Sequence, residues 1–213
     1  MDLGRVFILG DSYSTFVGYI PQGYATYYRE EDNHPTDVRK VEQTWWHLLL
    51  KETNGKLIKN CSWSGTTVCH TGYNGQDCKD NSFIARFRKL LNEGFFQENP
   101  VDTLFVFGGT NDSWAGAPLG ELKYSDWTET ELYSVLPAIS YLLSLIKEKL
   151  PKTRIIVVIN TELNEKIENG FQIVCERLGI EKVALQAIDK MSGHPSIAGM
   201  EQIKNQIIEV LNK

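Results

Sequence analysis

Short apolar segments of strand length alternate along this chain with segments whose apolar residues recur at helical spacing, and this alternation restricts the possible folds. Two of the apolar segments, Val101–Phe107 and Arg154–Asn160, are almost continuously hydrophobic, as is typical of central parallel strands covered on both faces. The alternation therefore predicts an α/β fold with a five-stranded, mainly parallel sheet. The predicted strands are Val6–Leu9, Leu57–Cys61, Val101–Phe107, Arg154–Asn160 and Glu181–Leu185.

Helix boundaries follow from capping residues and apolar spacing. Thr44 precedes an apolar, tryptophan-containing run and is the predicted N-cap of a helix. Thr128 and Glu131 form the S/T-x-x-E pattern of a capping box, which predicts a long helix that continues to Leu150. Pro137 either kinks this helix or marks a later start. Further helices are predicted at Phe83–Leu91, Glu162–Leu178 and Ser196–Leu211.

Length and composition predict one globular domain that covers residues 1–213. The net charge of −5 argues against binding to nucleic-acid backbones, which needs a basic face, but does not exclude a small anionic substrate. No apolar run reaches the roughly 18 residues of a membrane span. The N-terminus shows no signal-peptide pattern, so we expect a cytoplasmic protein, or a secreted or periplasmic one if a signal peptide has been removed. The oligomeric state stays open.

The spacing of the four cysteines gives little support for a metal site. Cys61, Cys69 and Cys78 lie within eighteen residues, with His70 beside the second of them. Zinc sites usually contain close pairs such as C-x2-C, and this spacing contains none. We therefore expect buried or loop thiols, with no metal and, in a reducing compartment, no disulfide.

The segment Phe16–Gln43 is polar, aromatic and irregular, and it carries Tyr19, Tyr24, Tyr27 and Tyr28. A connection of this length without regular structure is usually functional or mobile. One hypothesis makes it a lid or a substrate-facing flap. The alternative is that it decorates the surface without a role in function.

Polar and small residues follow four of the predicted strands. These segments are Gly10-Asp11-Ser12, Asn60–Gly65, Gly108–Asp112 and Asp189–Pro195. Ligands of open parallel sheets bind at the carboxyl ends of the strands, where these segments meet. Each segment alone has an ordinary explanation as a turn or loop, but together they supply a serine, a histidine, an amide and glycines. This combination indicates acyl transfer, which needs a nucleophile, a base and oxyanion donors.

The same blocks resemble those of the SGNH hydrolases, the GDSL esterase/lipase family. The matching residues, in the family's order, are Gly10-Asp11-Ser12, Gly65, Gly109-Thr110-Asn111-Asp112, His194-Pro195-Ser196 and Gly199. The resemblance implies a three-layer α/β/α fold with a flavodoxin-like sheet. It also implies hydrolysis of small-molecule esters without a metal or organic cofactor.

The resemblance further implies a role for each matched residue. Ser12 is the expected nucleophile, and its own backbone N–H is the first oxyanion donor. Gly65 supplies a second backbone N–H, and the side-chain amide of Asn111 supplies the third donor. His194 is the expected general base. The glycine at position 65 is explained by a close approach of its backbone to the substrate oxygen, which a Cβ would hinder.

One position departs from the family's pattern. The family usually places the triad aspartate three residues before the histidine, where this chain has Met191. Asp189, five residues before His194, is one candidate for the role. A backbone carbonyl near Met191 is a second, since orienting the imidazole is the main task of the third group. The third alternative is an impaired catalyst.

Substrate preference is only weakly encoded. Trp63 and Trp114 lie near matched residues and are candidates for stacking on a sugar, although packing explains them as well. The polar flap lacks the broad apolar opening of a lipase, which favours a small acyl group, acetyl above all, on a polar alcohol. The alternatives are a lysophospholipase or thioesterase, a non-catalytic α/β binding module, and a phosphate or flavin binder. The last lacks a supporting glycine-rich motif.

Overall fold

Residues 2–212 are described by a computed structural model, and a five-stranded parallel sheet forms its centre. The strands are β1 (Arg5–Gly10), β2 (Lys56–Asn60), β3 (Thr103–Gly108), β4 (Arg154–Ile159) and β5 (Glu181–Ala184). Their order across the sheet is β2-β1-β3-β4-β5, and every neighbouring pair runs parallel. This is the flavodoxin-like order, so the fold prediction is confirmed.

Helices cover both faces of the sheet and make the three-layer α/β/α arrangement. They are α1 (Trp45–Glu52), α2 (Phe83–Asn92), α3 (Phe95–Glu98), α4 (Thr110–Trp114), α5 (Val135–Lys149), α6 (Glu165–Leu178) and α7 (Ile197–Leu211). Alternate residues of β3 point to opposite faces, since Leu104 packs with α2, α5 and α6 whereas Phe105 packs with α1 and α7. A two-stranded antiparallel hairpin, β6 (Lys190–Met191) and β7 (His194–Pro195), precedes α7.

The predicted helix from Thr128 begins too early. Thr128 and Glu131 make the reciprocal bonds of a capping box, with the Thr128 N–H 2.7 Å from Glu131 Oε2. These bonds close a short 3-10 turn, and α5 begins only at Val135. Pro137 lies in the first turn of α5, where its missing N–H leaves no helical bond unmade. The alternative that proline marks a later start is therefore the correct one.

A buried arginine joins the ends of β1 and β2. Arg86 on α2 is 2% exposed, and its guanidinium donates to the carbonyls of Gly10, at 3.2 Å, and Cys61. It also donates to Thr66 Oγ1 at 3.0 Å and to the Asn81 carbonyl at 3.0 Å. The Cys61 carbonyl lies beyond the end of β2 and has no neighbouring strand to bond, so Arg86 satisfies a group that would otherwise be buried without a partner. The Gly10 carbonyl also accepts the Trp63 N–H, at 3.1 Å.

We expect Arg86→Met to lower the free energy of unfolding by about 3 kcal/mol or more, because it removes the hydrogen bonds of a buried guanidinium to four acceptors, and a hydrogen bond to a charged group contributes about 1.5–3 kcal/mol. Urea denaturation followed by circular dichroism measures the loss. Arg88→Met is the matched control on the same helix: its ion pair with Glu129 is partly exposed, and we expect a loss of less than about 1 kcal/mol. Equal losses in the two variants would contradict the special role of Arg86.

Candidate active site

The turn after β1 places Ser12 against His194, which lies 182 positions later in the chain. β1 ends at Gly10, where an added Cβ would lie 2.5 Å from Ser62 Oγ, so the turn leaves room only for glycine. Asp11 caps the short 3-10 helix Ser12–Ser14 by accepting the Tyr13 N–H at 3.1 Å. Ser12 Oγ then lies 3.0 Å from His194 Nε2, and both residues are buried. The structure thus brings the predicted nucleophile and base into hydrogen-bond contact.

The second ring nitrogen of His194 faces a backbone carbonyl. Its Nδ1 lies 3.2 Å from the oxygen of Ser192, which can only accept, so Nδ1 carries the proton and Nε2 accepts from Ser12. Ser192 and Gly193 have φ of 50° and 76° and join β6 to β7, as the central residues of a type I′ hairpin turn do. This turn presents the Ser192 carbonyl to the imidazole.

The carboxylate of Asp189 bonds to Ser196, whereas the first of the sequence-based alternatives placed it against His194. Its carboxylate accepts a hydrogen bond from Ser196 Oγ, and its backbone carbonyl accepts from the Ser196 N–H at 3.1 Å. Ser196 is the N-cap of α7, so Asp189 supports the start of that helix. The geometry corresponds instead to the alternative in which a carbonyl near Met191, here that of Ser192, orients the histidine.

Three tyrosines surround the histidine hairpin, and none was assigned a role from the sequence. Tyr13 donates its hydroxyl to the Gly193 carbonyl at 2.6 Å, and Tyr28 donates to the Pro195 carbonyl at 3.0 Å. The ring of Tyr27 stacks on the imidazole of His194, with ring centroids 3.5 Å apart and planes 12° from parallel. Tyr27 and Tyr28 belong to the segment Phe16–Gln43, so that segment lies directly against the site.

Asn111 lies in the first turn of α4 with its amide held on both sides. Its Nδ2 donates to the Thr66 carbonyl at 3.0 Å, and its Oδ1 accepts the hydroxyl of Tyr73 at 2.8 Å. These two bonds fix which end of the amide is the donor and leave one Nδ2 hydrogen for another acceptor. Tyr73 was not predicted, because it lies in an irregular loop with no periodicity or motif to single it out.

Gly65 lies in the loop after β2, with φ of +80°. A Cβ added there would meet no protein atom within 4 Å, so the positive φ is what favours a glycine within the protein itself. The predicted close approach of this backbone to a substrate oxygen stays a prediction. The carboxylate of Asp112 on α4 holds the same loop by accepting the N–H groups of Val68, at 2.8 Å, and Cys69, at 3.1 Å. The loop is therefore tied to the helix that carries Asn111.

Burial dominates the electrostatics of the site. It lowers the pKa of His194 to about 4, an effect that the hydrogen bond to Ser192 offsets in part and the electrostatic interactions with His34 and Lys190 reinforce. Burial also raises the pKa of Asp11 to about 7, although the Tyr13 N–H and the charge of Arg86 favour its ionised form. At neutral pH the imidazole of His194 is therefore an uncharged base.

The two predicted substrate-binding tryptophans have different positions. Trp114 is 46% exposed, and its ring meets the imidazole of His194 edge-on at 5.6 Å. Trp63 is partly buried and stacks on Tyr24 with ring centroids 4.1 Å apart. Met191 is 41% exposed on the same hairpin as the histidine. Trp114 thus lies at the mouth of the site, whereas Trp63 packs against the segment Phe16–Gln43.

The four cysteines are buried free thiols. Within residues 2–212, no three or more side chains of histidine, cysteine, aspartate or glutamate are grouped so that they could hold a metal ion. In the same range, every helix is too short or too polar to cross a membrane.

A family model described as GDSL-like Lipase/Acylhydrolase matches residues 4–211. Among solved structures, a GDSL-like lipase from Bacteroides ovatus ATCC 8483 is 44% identical, with a TM-score of 0.92 over 100% of this chain and 99% of that one. A GDSL-like lipase from Bacteroides uniformis ATCC 8492 is also 44% identical, with a TM-score of 0.90 over 98% and 95%. The acetyl xylan esterase Est2A from Butyrivibrio proteoclasticus shares the fold, at 18% identity and a TM-score of 0.58 over 98% and 63%. A comparison with curated proteins found no match.

We expect the imidazole of His194 to titrate at about pH 4, and Asp189→Asn to leave that titration unchanged, because no bond joins Asp189 to the ring. NMR of labelled histidine, assigned with His194→Gln, measures both values. If the aspartate were the partner, removing its charge would lower the pKa by a unit or so. Since the unfolded histidine titrates near 6.5, His194 also makes the fold less stable as the pH falls from about 6.5 to about 4.

Proposed function

This chain belongs to the GDSL-like lipase/acylhydrolase family, and we propose that it is a serine esterase that removes a small acyl group, acetyl above all, from a polar alcohol such as a carbohydrate. Membership in this family confirms the resemblance inferred from the sequence motifs and shows that the protein is an ester-hydrolysing enzyme. The observation that carries the proposed mechanism is the 3.0 Å contact between Ser12 Oγ and His194 Nε2, with the opposite nitrogen on the Ser192 carbonyl.

The proposed reaction has two halves. His194 Nε2 takes the hydroxyl proton of Ser12 as Oγ attacks the ester carbonyl, and the imidazolium then gives that proton to the departing alcohol. The resulting acyl-enzyme is hydrolysed by a water that His194 activates in the same way. The Ser192 carbonyl keeps Nδ1 protonated throughout, so Nε2 always faces the reacting oxygen.

The developing oxyanion needs donors that are already in place. We assign this role to the backbone N–H groups of Ser12 and Gly65 and to the free Nδ2 hydrogen of Asn111. The bonds of Asn111 to Thr66 and Tyr73 support the assignment, because they orient the amide before substrate arrives. Losing one such donor commonly costs about 100- to 1000-fold in rate.

A dyad without a carboxylate suits the low pKa of His194. The Ser192 carbonyl fixes the tautomer of His194. In a triad, replacing the aspartate allows the wrong tautomer and lowers kcat on the order of 10⁴-fold. Because burial holds the pKa of His194 at about 4, the base stays unprotonated at all pH values above about 5. The proposed enzyme therefore keeps its general base in mildly acidic surroundings.

The preference for a small acyl group on a polar alcohol rests on the surroundings of Ser12. Trp114 and Tyr73 are the exposed aromatic side chains next to the site, and such rings can stack on the face of a sugar. The nearby segment Phe16–Gln43 presents mostly tyrosine and charged side chains rather than an apolar opening. The fold relative Est2A is an acetyl xylan esterase, which supports the view that this fold accommodates acetylated sugars.

One observation favours a second candidate, an acyl hydrolase of the lysophospholipase or thioesterase type. Met191, which lies in the histidine hairpin, is 41% exposed, and Trp114, whose ring lies beside Gly193 of that hairpin, is 46% exposed. Together they offer apolar surface to a longer acyl chain.

Incubation with a fluorophosphonate tests for an activated serine. We expect intact-mass spectrometry to find one adduct on the wild-type protein, none on Ser12→Ala, and labelling at least about 100-fold slower for His194→Ala, since the hydroxyl is unreactive without its base. Ser113→Ala, in α4, is a control that should label normally. A folded wild-type protein that forms no adduct would favour the non-catalytic binding module.

A series of p-nitrophenyl esters from acetyl to octanoyl tests the acyl preference. We expect kcat/KM to be highest for acetyl and to fall at least about 10-fold by octanoyl, and we expect acetylated sugars to release acetate. Equal or greater activity on the long chains would contradict the acetyl assignment and favour the lysophospholipase or thioesterase type.

A further inference from the structure

The ring of Tyr27 lies flat on the imidazole of the proposed general base, with centroids 3.5 Å apart and planes 12° from parallel. We propose that Tyr27 is a positioning residue that holds the plane of His194 and stabilises its protonated form, in place of the carboxylate that the site lacks. The inference rests on the proposed esterase function and adds a residue from outside the matched motifs.

Tyr27 is itself held from both sides of its backbone. Its N–H donates to Thr15 Oγ1 at 2.9 Å, and that hydroxyl donates to the Ser12 carbonyl at 3.0 Å. Its carbonyl accepts from His34 Nε2 at 2.6 Å. The ring therefore has a fixed relation to the turn that carries Ser12 as well as to the histidine.

The neighbouring residue, Tyr28, makes a hydrogen bond to the backbone of the histidine hairpin. Tyr28 is fully buried and donates its hydroxyl to the Pro195 carbonyl at 3.0 Å, directly after the histidine. Its ring meets that of Tyr27 edge-on, with centroids 5.0 Å apart. Consecutive tyrosines thus hold the side chain and the main chain of one short segment, which restricts rotation of the imidazole.

A positive charge on His194 has few other stabilising contacts. During the reaction the imidazole becomes imidazolium, yet Nδ1 faces only the neutral Ser192 carbonyl. The other titratable groups around it are Tyr13, Tyr28 and His34, together with Lys190, whose ammonium pairs with Glu162 at 2.8 Å. His34 and Lys190 disfavour the charge. Besides the Ser192 carbonyl, the electron-rich face of Tyr27 is then a favourable electrostatic contact for the imidazolium, as in other cation–π pairs.

Two substitutions separate the ring from its hydroxyl. Tyr27→Phe keeps the aromatic face, and we expect kcat within about 2-fold of wild type. Tyr27→Leu removes it, and we expect kcat to fall about 3- to 30-fold with little change in KM, which is the range of a partly buried cation–π contact. The apparent pKa of His194 in the pH profile of kcat/KM should also fall. Tyr19→Leu, in the same segment but packed on Trp46, is the matched control and should behave as wild type.

The direction in which the pKa of His194 shifts shows whether Tyr27 stabilises the imidazolium or only shields the ring from water. If Tyr27 only excluded water, Tyr27→Leu would let water reach the ring, and the pKa of His194 would rise towards its usual range. That result, an unchanged rate for Tyr27→Leu, or an equal loss for Tyr27→Phe would each overturn the proposal.

Fluorophosphonate labelling of Ser12 in the same variants keeps this proposal separate from the proposed function. A wild type that fails to label contradicts the esterase mechanism, whereas a wild type that labels while Tyr27→Leu keeps its full rate contradicts only the role of Tyr27. If Tyr27→Leu does not fold, fluorinated phenylalanines at position 27 keep the shape of the ring and withdraw its electrons. The rate should then fall with increasing fluorination, and an unchanged rate would overturn the proposal.

Discussion

The rest of the site depends on the hydrogen bonds that the buried guanidinium of Arg86 donates. Parallel strands form backbone hydrogen bonds with each other along the sheet. Beyond their carboxyl ends the chain turns away, and its buried carbonyls need other donors. Arg86 extends from α2 to these strand ends and donates to the carbonyls of Gly10 and Cys61 and to the hydroxyl of Thr66. The Thr66 carbonyl in turn accepts from Asn111. One side chain therefore connects the turn of the proposed nucleophile with the loop and helix of the proposed oxyanion donors.

Apolar periodicity predicted the sheet and most helices, because burial of one face decides those elements. The capping pattern at Thr128 predicted a long helix, and there the capping bonds form but close only a single turn, since a local signal does not specify how far a helix continues. The matched blocks placed Ser12 and His194 on one rim, and the structure has them in contact. Spacing could not decide the partner of Asp189, because His194 and Ser196 follow it closely in the sequence and the spacing does not report which of them its carboxylate bonds to. Tyr27 and Tyr73 lie in irregular segments, where nothing in the sequence reports a contact over a long separation.

In the proposed mechanism, the task of a triad carboxylate is divided among several groups. The hairpin turn at Ser192 presents a carbonyl to Nδ1, and the hydroxyls of Tyr13 and Tyr28 hold the carbonyls on either side of His194. A carboxylate supplies orientation and charge together, whereas here orientation comes from the backbone. The charge has to be stabilised separately, which is the part that we assign to the ring of Tyr27.

This division constrains how substrate enters. A lid made of Phe16–Gln43 that swung open would carry Tyr27 and Tyr28 away from His194 and release the hairpin they hold. The segment is also joined to α7 by a 2.8 Å bond from the Ile197 N–H to Asp37, and to the loop after β2 by the stacking of Tyr24 on Trp63. We therefore expect the segment to stay in place during turnover, as a wall of the site rather than a cover. We then expect substrate to approach past Trp114 and Tyr73, which are exposed beside His194 and Asn111, and whose rings can stack on the polar alcohol that carries the acyl group.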